Sequence, residues 1–184
     1  APGAIITVSI DAEHTDAGLE VSIGSHSDTL WHKEEWYRFP AVVRADVLAQ
    51  AQTSVASGFG GLIYIRIPVG SALGSIEVNI DGGIPAPWYR HGDTDTASWT
   101  EEIRARGVPW AELETPTIVL TVPSQNIREL DDPAAVMTFW DEVMDYSATL
   151  ASIDPARPRA ERIVADRQIS AGYLHSGYPV MGQF

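Results

Sequence analysis

Apolar and polar residues alternate along much of the first half of this chain. Ile5-Ile6-Thr7-Val8-Ser9-Ile10 is β-branched and alternating, and Leu19-Glu20-Val21-Ser22-Ile23 alternates strictly. Leu62 to Ile67 and Ile76 to Ile80 do the same, while Val42 to Leu48 and Thr53 to Ala56 carry weaker strand signals. A period of two sends apolar side chains to one face and polar ones to the other. Short runs of this kind, punctuated by Gly, Asp and Pro between Ile5 and Tyr89, predict an antiparallel sandwich.

From Pro85 the pattern changes. Ser98-Trp99-Thr100-Glu101 has the spacing of a capping box and predicts a helix from Trp99 to about Arg106, ended by Gly107-Val108-Pro109. Thr117 to Val122 is continuously apolar apart from its threonines and predicts a strand buried on both faces. Asp132 suits a helix cap and Pro133 the first helical position. Beyond them Phe139, Val143, Tyr146 and Leu150 share one helical face, flanked by Val136 and Trp140, with Asp141, Glu142 and Asp145 toward water. The linker Asp154 to Arg159 breaks that helix, and Arg162 to Ile169 reads as a strand leading into a loop over Tyr173 to Met181. The fold class is therefore mostly β with some α (α+β).

Composition narrows the field. With 184 residues the chain holds one large domain, or one domain and part of another. A hydrophobic share of 45% and a charged share of 20% are those of a folded protein. No run of about 18 apolar residues is present, so no membrane span is expected. The first residues, APGAIITVSI, carry no basic-led signal peptide and no initiator methionine, so removal of a preceding segment is expected. A net charge of −13 with only twelve basic residues argues against a nucleic-acid partner, since phosphate binding needs clustered Lys and Arg. The absence of cysteine excludes disulfides and thiolate metal sites and leaves the compartment open.

The last stretch, ERIVADRQISAGYLHSGYPVMGQF from Glu161, sets Tyr173, His175 and Tyr178 among Gly172, Gly177 and Pro179. Glycine and proline hold an irregular backbone path of the kind a binding cleft uses. Its apolar, turn-rich character predicts an exposed patch against which a further segment packs. Within it VADRQISAGYLHSGYPVM (Val164 to Met181) resembles the enhancin-like (M60) zinc metallopeptidases, a family of mucin-degrading bacterial enzymes and viral enhancins. It departs from the family at Arg167, usually aliphatic, and at Leu174, usually methionine. IGSHSDTLW from Ile23, FGGLIYI from Phe59, PWAELE from Pro109 and LDDPAAVMTFWDEVM from Leu130 match in the same order. A related domain occurs in the TRPM8 channel-associated factors. The resemblance implies a jelly-roll-like N-terminal sandwich over residues 1–122, then over 123–184 the first helix and strand of the catalytic domain.

The family's zinc motif, HExxH with a later glutamate, is not among these residues. His14, His26, His32, His91 and His175 form no HxxxH pair, so no catalytic residue, metal ligand or zinc-dependent stabilisation is expected in this chain. By resemblance, zinc belongs to the full-length protein, where it would activate a water with a glutamate as base. Tyr173, His175 and Tyr178 are candidates for a substrate-facing cleft, able to stack on sugars or hydrogen-bond a peptide carbonyl; packing at a seam is the competing role. Trp31, Trp88 and Tyr89 are candidate glycan-facing aromatics in a region that also holds Trp36 and Tyr37, against an alternative of core packing.

Other motifs carry less. His26 and Asp28 form a potential polar pair, but Ser25 and Ser27 lie outside any GxSxG elbow. Ser57 to Gly61 lacks the ending of a phosphate loop, and its glycines suit a bulge or a close backbone approach. Asp93 and Asp95 lack the other oxygens of a calcium site. The expected role is the non-catalytic N-terminal part of a metallopeptidase acting on mucin-type glycoproteins. Its partners would be a glycoprotein substrate or glycan and the downstream catalytic segment. The alternatives are a non-enzymatic scaffold and a glycan-binding module. Secretion or surface display follows from the resemblance, with the cytoplasm also open.

Overall fold

A computed structural model describes residues 1–184. They divide into two compact units, one of residues 1–27 and 41–84, the other of residues 28–40 and 85–184.

In the first unit the alternating segments become β1 (Ile5–Ile10), β2 (Glu20–Ile23), β3 (Arg44–Val47), β4 (Gln52–Ala56), β5 (Ile63–Arg66) and β6 (Val78–Asp81). They form two antiparallel three-stranded sheets, β4-β1-β6 and β3-β2-β5. Period two sends Ile6, Val8 and Ile10 of β1 inward, where they meet Val21, Ile23 and Val55, with Ile63, Ile65 and Val78 packed around them. Both sheets thus share one core, as in a sandwich. Six strands make it smaller than an eight-stranded jelly roll. Gly61 permits a close approach, at φ +134°: a Cβ there would stand 2.9 Å from the Gly24 backbone.

The second unit holds β7 (Trp88–Arg90), α1 (Thr96–Glu101), β8 (Trp110–Glu114), β9 (Ile118–Pro123), α2 (Pro133–Ala151), β10 (Glu161–Asp166), β11 (Leu174–His175) and β12 (Val180–Gln183). Its strands make one mixed sheet, ordered β11-β12-β10-β9-β8-β7, in which β9, β10 and β12 run parallel. The crossover from β9 to β10 is α2, because parallel neighbours need a long connection. The sequence-based boundary after Val122 does not coincide with the division near Ile84, since it would part β9 from β10, its hydrogen-bonded neighbour. Ile118 to Thr121 of β9 are buried, in keeping with an apolar run between two neighbours.

Two helices differ from expectation. The first starts at Thr96, with Asp95 as cap accepting from the Ser98 amide at 2.9 Å; Ser98 lies inside the helix, which ends at Glu101 before a 3-10 turn. An aspartate three residues upstream outcompetes the serine because its carboxylate meets the helix dipole as well as the amide. In α2, Asp132 caps through the Ala135 amide at 2.9 Å, as the Asp-Pro pair predicts. Its buried side, however, is Pro133, Met137 and Ala148, with Trp140 and Met144 packed alongside. Phe139, Tyr146 and Leu150 face outward, and Asp141 accepts a hydrogen bond from Thr115 at 2.6 Å. The helix carries two apolar stripes, and tertiary packing selected the one that periodicity did not.

Candidate functional site

The second unit pins the segment 28–40 to the turn after β10 through a network of mostly buried polar groups. Arg38 is its centre. The Nε donates to the Gln168 carbonyl at 3.1 Å and lies 2.6 Å from Asp166 Oδ2 in an ion pair, while Nη2 donates to the Asp28 carbonyl at 3.1 Å. The Asp28 carboxylate lies 3.7 Å from the same guanidinium. Gln168 satisfies both ends of its amide, accepting from the Tyr37 N–H at 2.7 Å and donating to the Glu35 carbonyl at 2.9 Å.

Ser170 and His175 extend the network. Asp28 Oδ2 accepts the Ser170 amide at 2.7 Å, and the Ser170 hydroxyl lies 3.1 Å from His175 Nε2. His175 Nε2 is also 3.5 Å from Asp28 Oδ1, while Nδ1 is 3.0 Å from the Ser176 carbonyl. His32 Nε2 reaches the Ser170 carbonyl at 2.9 Å. Burial works against ionisation of Asp28, but the Ser170 hydrogen bonds and the nearby His175 outweigh it and hold the carboxyl below its ordinary range.

Serine, histidine and aspartate meet here, but not as a nucleophilic triad. A triad needs the carboxylate on Nδ1 and the serine on Nε2. Here both contact Nε2, and Nδ1 faces a backbone carbonyl that accepts its N–H. The arrangement suits orientation of the loop that carries His175.

On this frame two exposed aromatic groups are displayed. Trp31 meets Trp36 and Phe39 edge-on, with ring centroids 5.6 and 5.8 Å apart. Trp36 Nε1 donates to the Leu30 carbonyl at 3.0 Å, which fixes one ring face outward. Tyr173 is 81% exposed, and Tyr178 is half-exposed with Arg159 over its ring at 3.4 Å. Tyr178 also donates to the Ala160 carbonyl at 3.1 Å. Of the sequence candidates, Tyr173 and Tyr178 are thus surface residues, His175 is half-buried in the network, and Trp31 is exposed. Trp88 is half-exposed beneath Arg90, at 5.2 Å. Tyr89 is not a glycan-facing residue: it is 4% exposed and packs on Trp99 in the core, because adjacent strand positions face opposite ways. Asp28 is engaged by Ser170, His175 and Arg38, and His26 is buried.

Sequence reading missed Arg38, Asp166, Gln168 and Ser170. One signal was present: Arg162, Val164 and Asp166 share a strand face, and a carboxylate next to a buried valine calls for a cation. Its partner lies 128 residues earlier, beyond any local pattern.

The residues present do not fit a peptidase zinc site. Asp11, Glu13 and His14 bring ligand atoms within 4.8 Å of one another, but they supply one imidazole on a largely exposed turn. A zinc peptidase takes two imidazoles from one helix face and a third ligand.

The model for Peptidase M60, enhancin and enhancin-like, matches residues 82–184, and that for the N-terminal domain of M60-like peptidases matches residues 1–81. The chain belongs to the M60 family. Among curated relatives, human TRPM8 channel-associated factor 2 is 43% identical over 174 residues, covering 95% of this chain and 19% of that protein. The Xenopus laevis homolog is 42% identical over 98% of this chain and 20% of its own length. The chain thus spans about a fifth of these relatives. Among solved structures, the ZmpB metallopeptidase from Clostridium perfringens superposes with a TM-score of 0.73 at 12% identity, over 99% of this chain and 41% of that one. IMPa from Pseudomonas aeruginosa, solved with an O-glycopeptide, gives 0.69 at 16% identity, over all of this chain and 26% of that one. At such identities the M60 fold is what these structures share with this chain. No helix is long and apolar enough to cross a membrane.

Proposed function

We propose that this chain is the non-catalytic leading part of an M60 zinc metallopeptidase that acts on mucin-type glycoproteins. It supports the catalytic segment and lines one wall of its cleft, in a secreted or surface-displayed protein. The observation that carries this reading is the loop that displays Tyr173 and Tyr178, anchored through half-buried His175 to Ser170 and Asp28, with Arg38 behind them. A rigid loop bearing aromatic faces suits a glycosylated peptide, whose sugars stack on them. The IMPa structure with an O-glycopeptide supports that substrate class for a protein of the same fold. Zinc and its general base would come from the rest of the protein. In the full-length protein, Tyr173→Ala should lower kcat/KM on an O-glycopeptide at least tenfold, about 1.4 kcal/mol. An unchanged value would remove this loop from the cleft.

A second reading is a non-enzymatic scaffold. It is favoured by identity: the channel-associated factors share 39–43% of residues with this chain, the superposed peptidases only 10–18%. The full-length coding sequence separates the two. An in-frame HExxH with a later glutamate supports the peptidase, and replacement of those residues supports the scaffold. A glycan-binding module is the third possibility, for which binding on a glycan array should be lost with Trp88→Ala.

A further inference from the structure

Three strand ends meet at one edge of the second unit's sheet. Because β9, β10 and β12 are parallel, their carboxyl ends (Pro123, Asp166 and Gln183) lie together, beside the start of the antiparallel β8 at Trp110. Crevices outside the carboxyl ends of parallel strands are where ligands bind in open sheets, since the departing connections diverge there. Here a pocket of about 500 Å³ occupies that place, and its lining includes Val108, Trp110, Arg128, Asp166, Arg167 and Phe184.

We infer that this pocket binds a small organic anion, a carboxylate carried on an apolar body, through Arg128 and Arg167. Charge supports it first. Asp166 is the one acid in the lining, and it is already engaged by Arg38 and by the Arg167 amide, at 2.6 Å each. Two guanidiniums therefore set the pocket's sign, in a chain whose net charge is −13. Arg128 is anchored by donating to the Ala105 and Arg106 carbonyls at 2.7 and 3.0 Å. Two of its five N–H donors are used there, leaving three on a pre-oriented plane. Arg167 is exposed and lines the same pocket. Such planar forks match the two oxygens of a carboxylate.

The walls decide what carries the charge. Trp110 packs on the cluster of Val164, Ile169 and Met181. Val108 completes an apolar lining that an inorganic anion would leave wet.

Calorimetric titration of the full-length protein tests this. Phenylacetate should bind with a dissociation constant of about 1 mM or tighter, and neutral phenylacetamide and inorganic phosphate at least about tenfold more weakly. Arg167→Ala should weaken phenylacetate about tenfold with thermal unfolding unchanged, and Arg128→Lys should weaken it by keeping the charge but losing the fork. Equal binding of the amide or of phosphate, an unaltered affinity in Arg167→Ala, or no binding of phenylacetate would each overturn the inference.

Discussion

Arg38 Nε lies 2.6 Å from Asp166 Oδ2, and both side chains are less than a tenth exposed. The same guanidinium is 3.7 Å from the carboxylate of Asp28, so one cation serves two buried anions. Removing it takes the same guanidinium from both carboxylates. Arg38→Met should therefore cost about 3–5 kcal/mol, the cost of breaking a buried pair from one side. Urea unfolding measures it, and a loss below 1 kcal/mol would mean that water or another cation replaces Arg38.

The depressed pKa of Asp28 has a consequence in acid. Its carboxyl ionises more readily in the folded chain than at the ordinary 3.8, so the unfolded chain takes up the proton first as pH falls. The stabilisation it contributes is complete above that ordinary value and is lost progressively below it, through the lower folded value. Stability near neutrality should thus be insensitive to this group. Asp28→Asn should flatten the fall in unfolding free energy below about pH 4. Parallel acid profiles for the two proteins would show that another carboxylate governs the transition.

Trp88 and Tyr89 are neighbours in β7 with opposite fates. Tyr89 packs edge-on to the fully buried Trp99, centroids 5.5 Å apart, so Tyr89→Ala should cost about 3–5 kcal/mol. Trp88 is half-exposed, and Trp88→Ala should cost less than about 1 kcal/mol. Comparable losses in thermal unfolding would contradict the assignment of faces.

The cap of α1 offers a small, specific test. Asp95→Ala should lower the unfolding midpoint, because the Ser98 amide loses its acceptor. Ser98→Ala should be nearly neutral, since alanine favours a helix interior. The reverse order in chemical denaturation would restore Ser98 as the cap.

Local pattern carried much of this protein. Alternation placed β1, β2, β5 and β6, with weaker signals at β3 and β4, the Asp132-Pro133 pair started α2, and the unbroken apolar run marked β9 as a central strand. The Val164 to Met181 motif identified the family, because a long irregular segment with fixed glycines has few unrelated matches. These features act within a few residues, through φ/ψ preference, capping and face periodicity, and so are written locally. What only the tertiary structure decided were choices between local equals. Helix α2 has two apolar stripes, and the Met137 side was taken because the sheet presents Ile118, Leu120 and Leu113 to it. Tyr89 was buried and Trp88 left outside by the pairing of β7 with β8. The Arg38–Asp166–Asp28–Ser170–His175 network joins residues more than 120 positions apart, where no periodicity operates. Buried charges must find partners wherever the chain brings them, and only the folded path of the backbone states where that is.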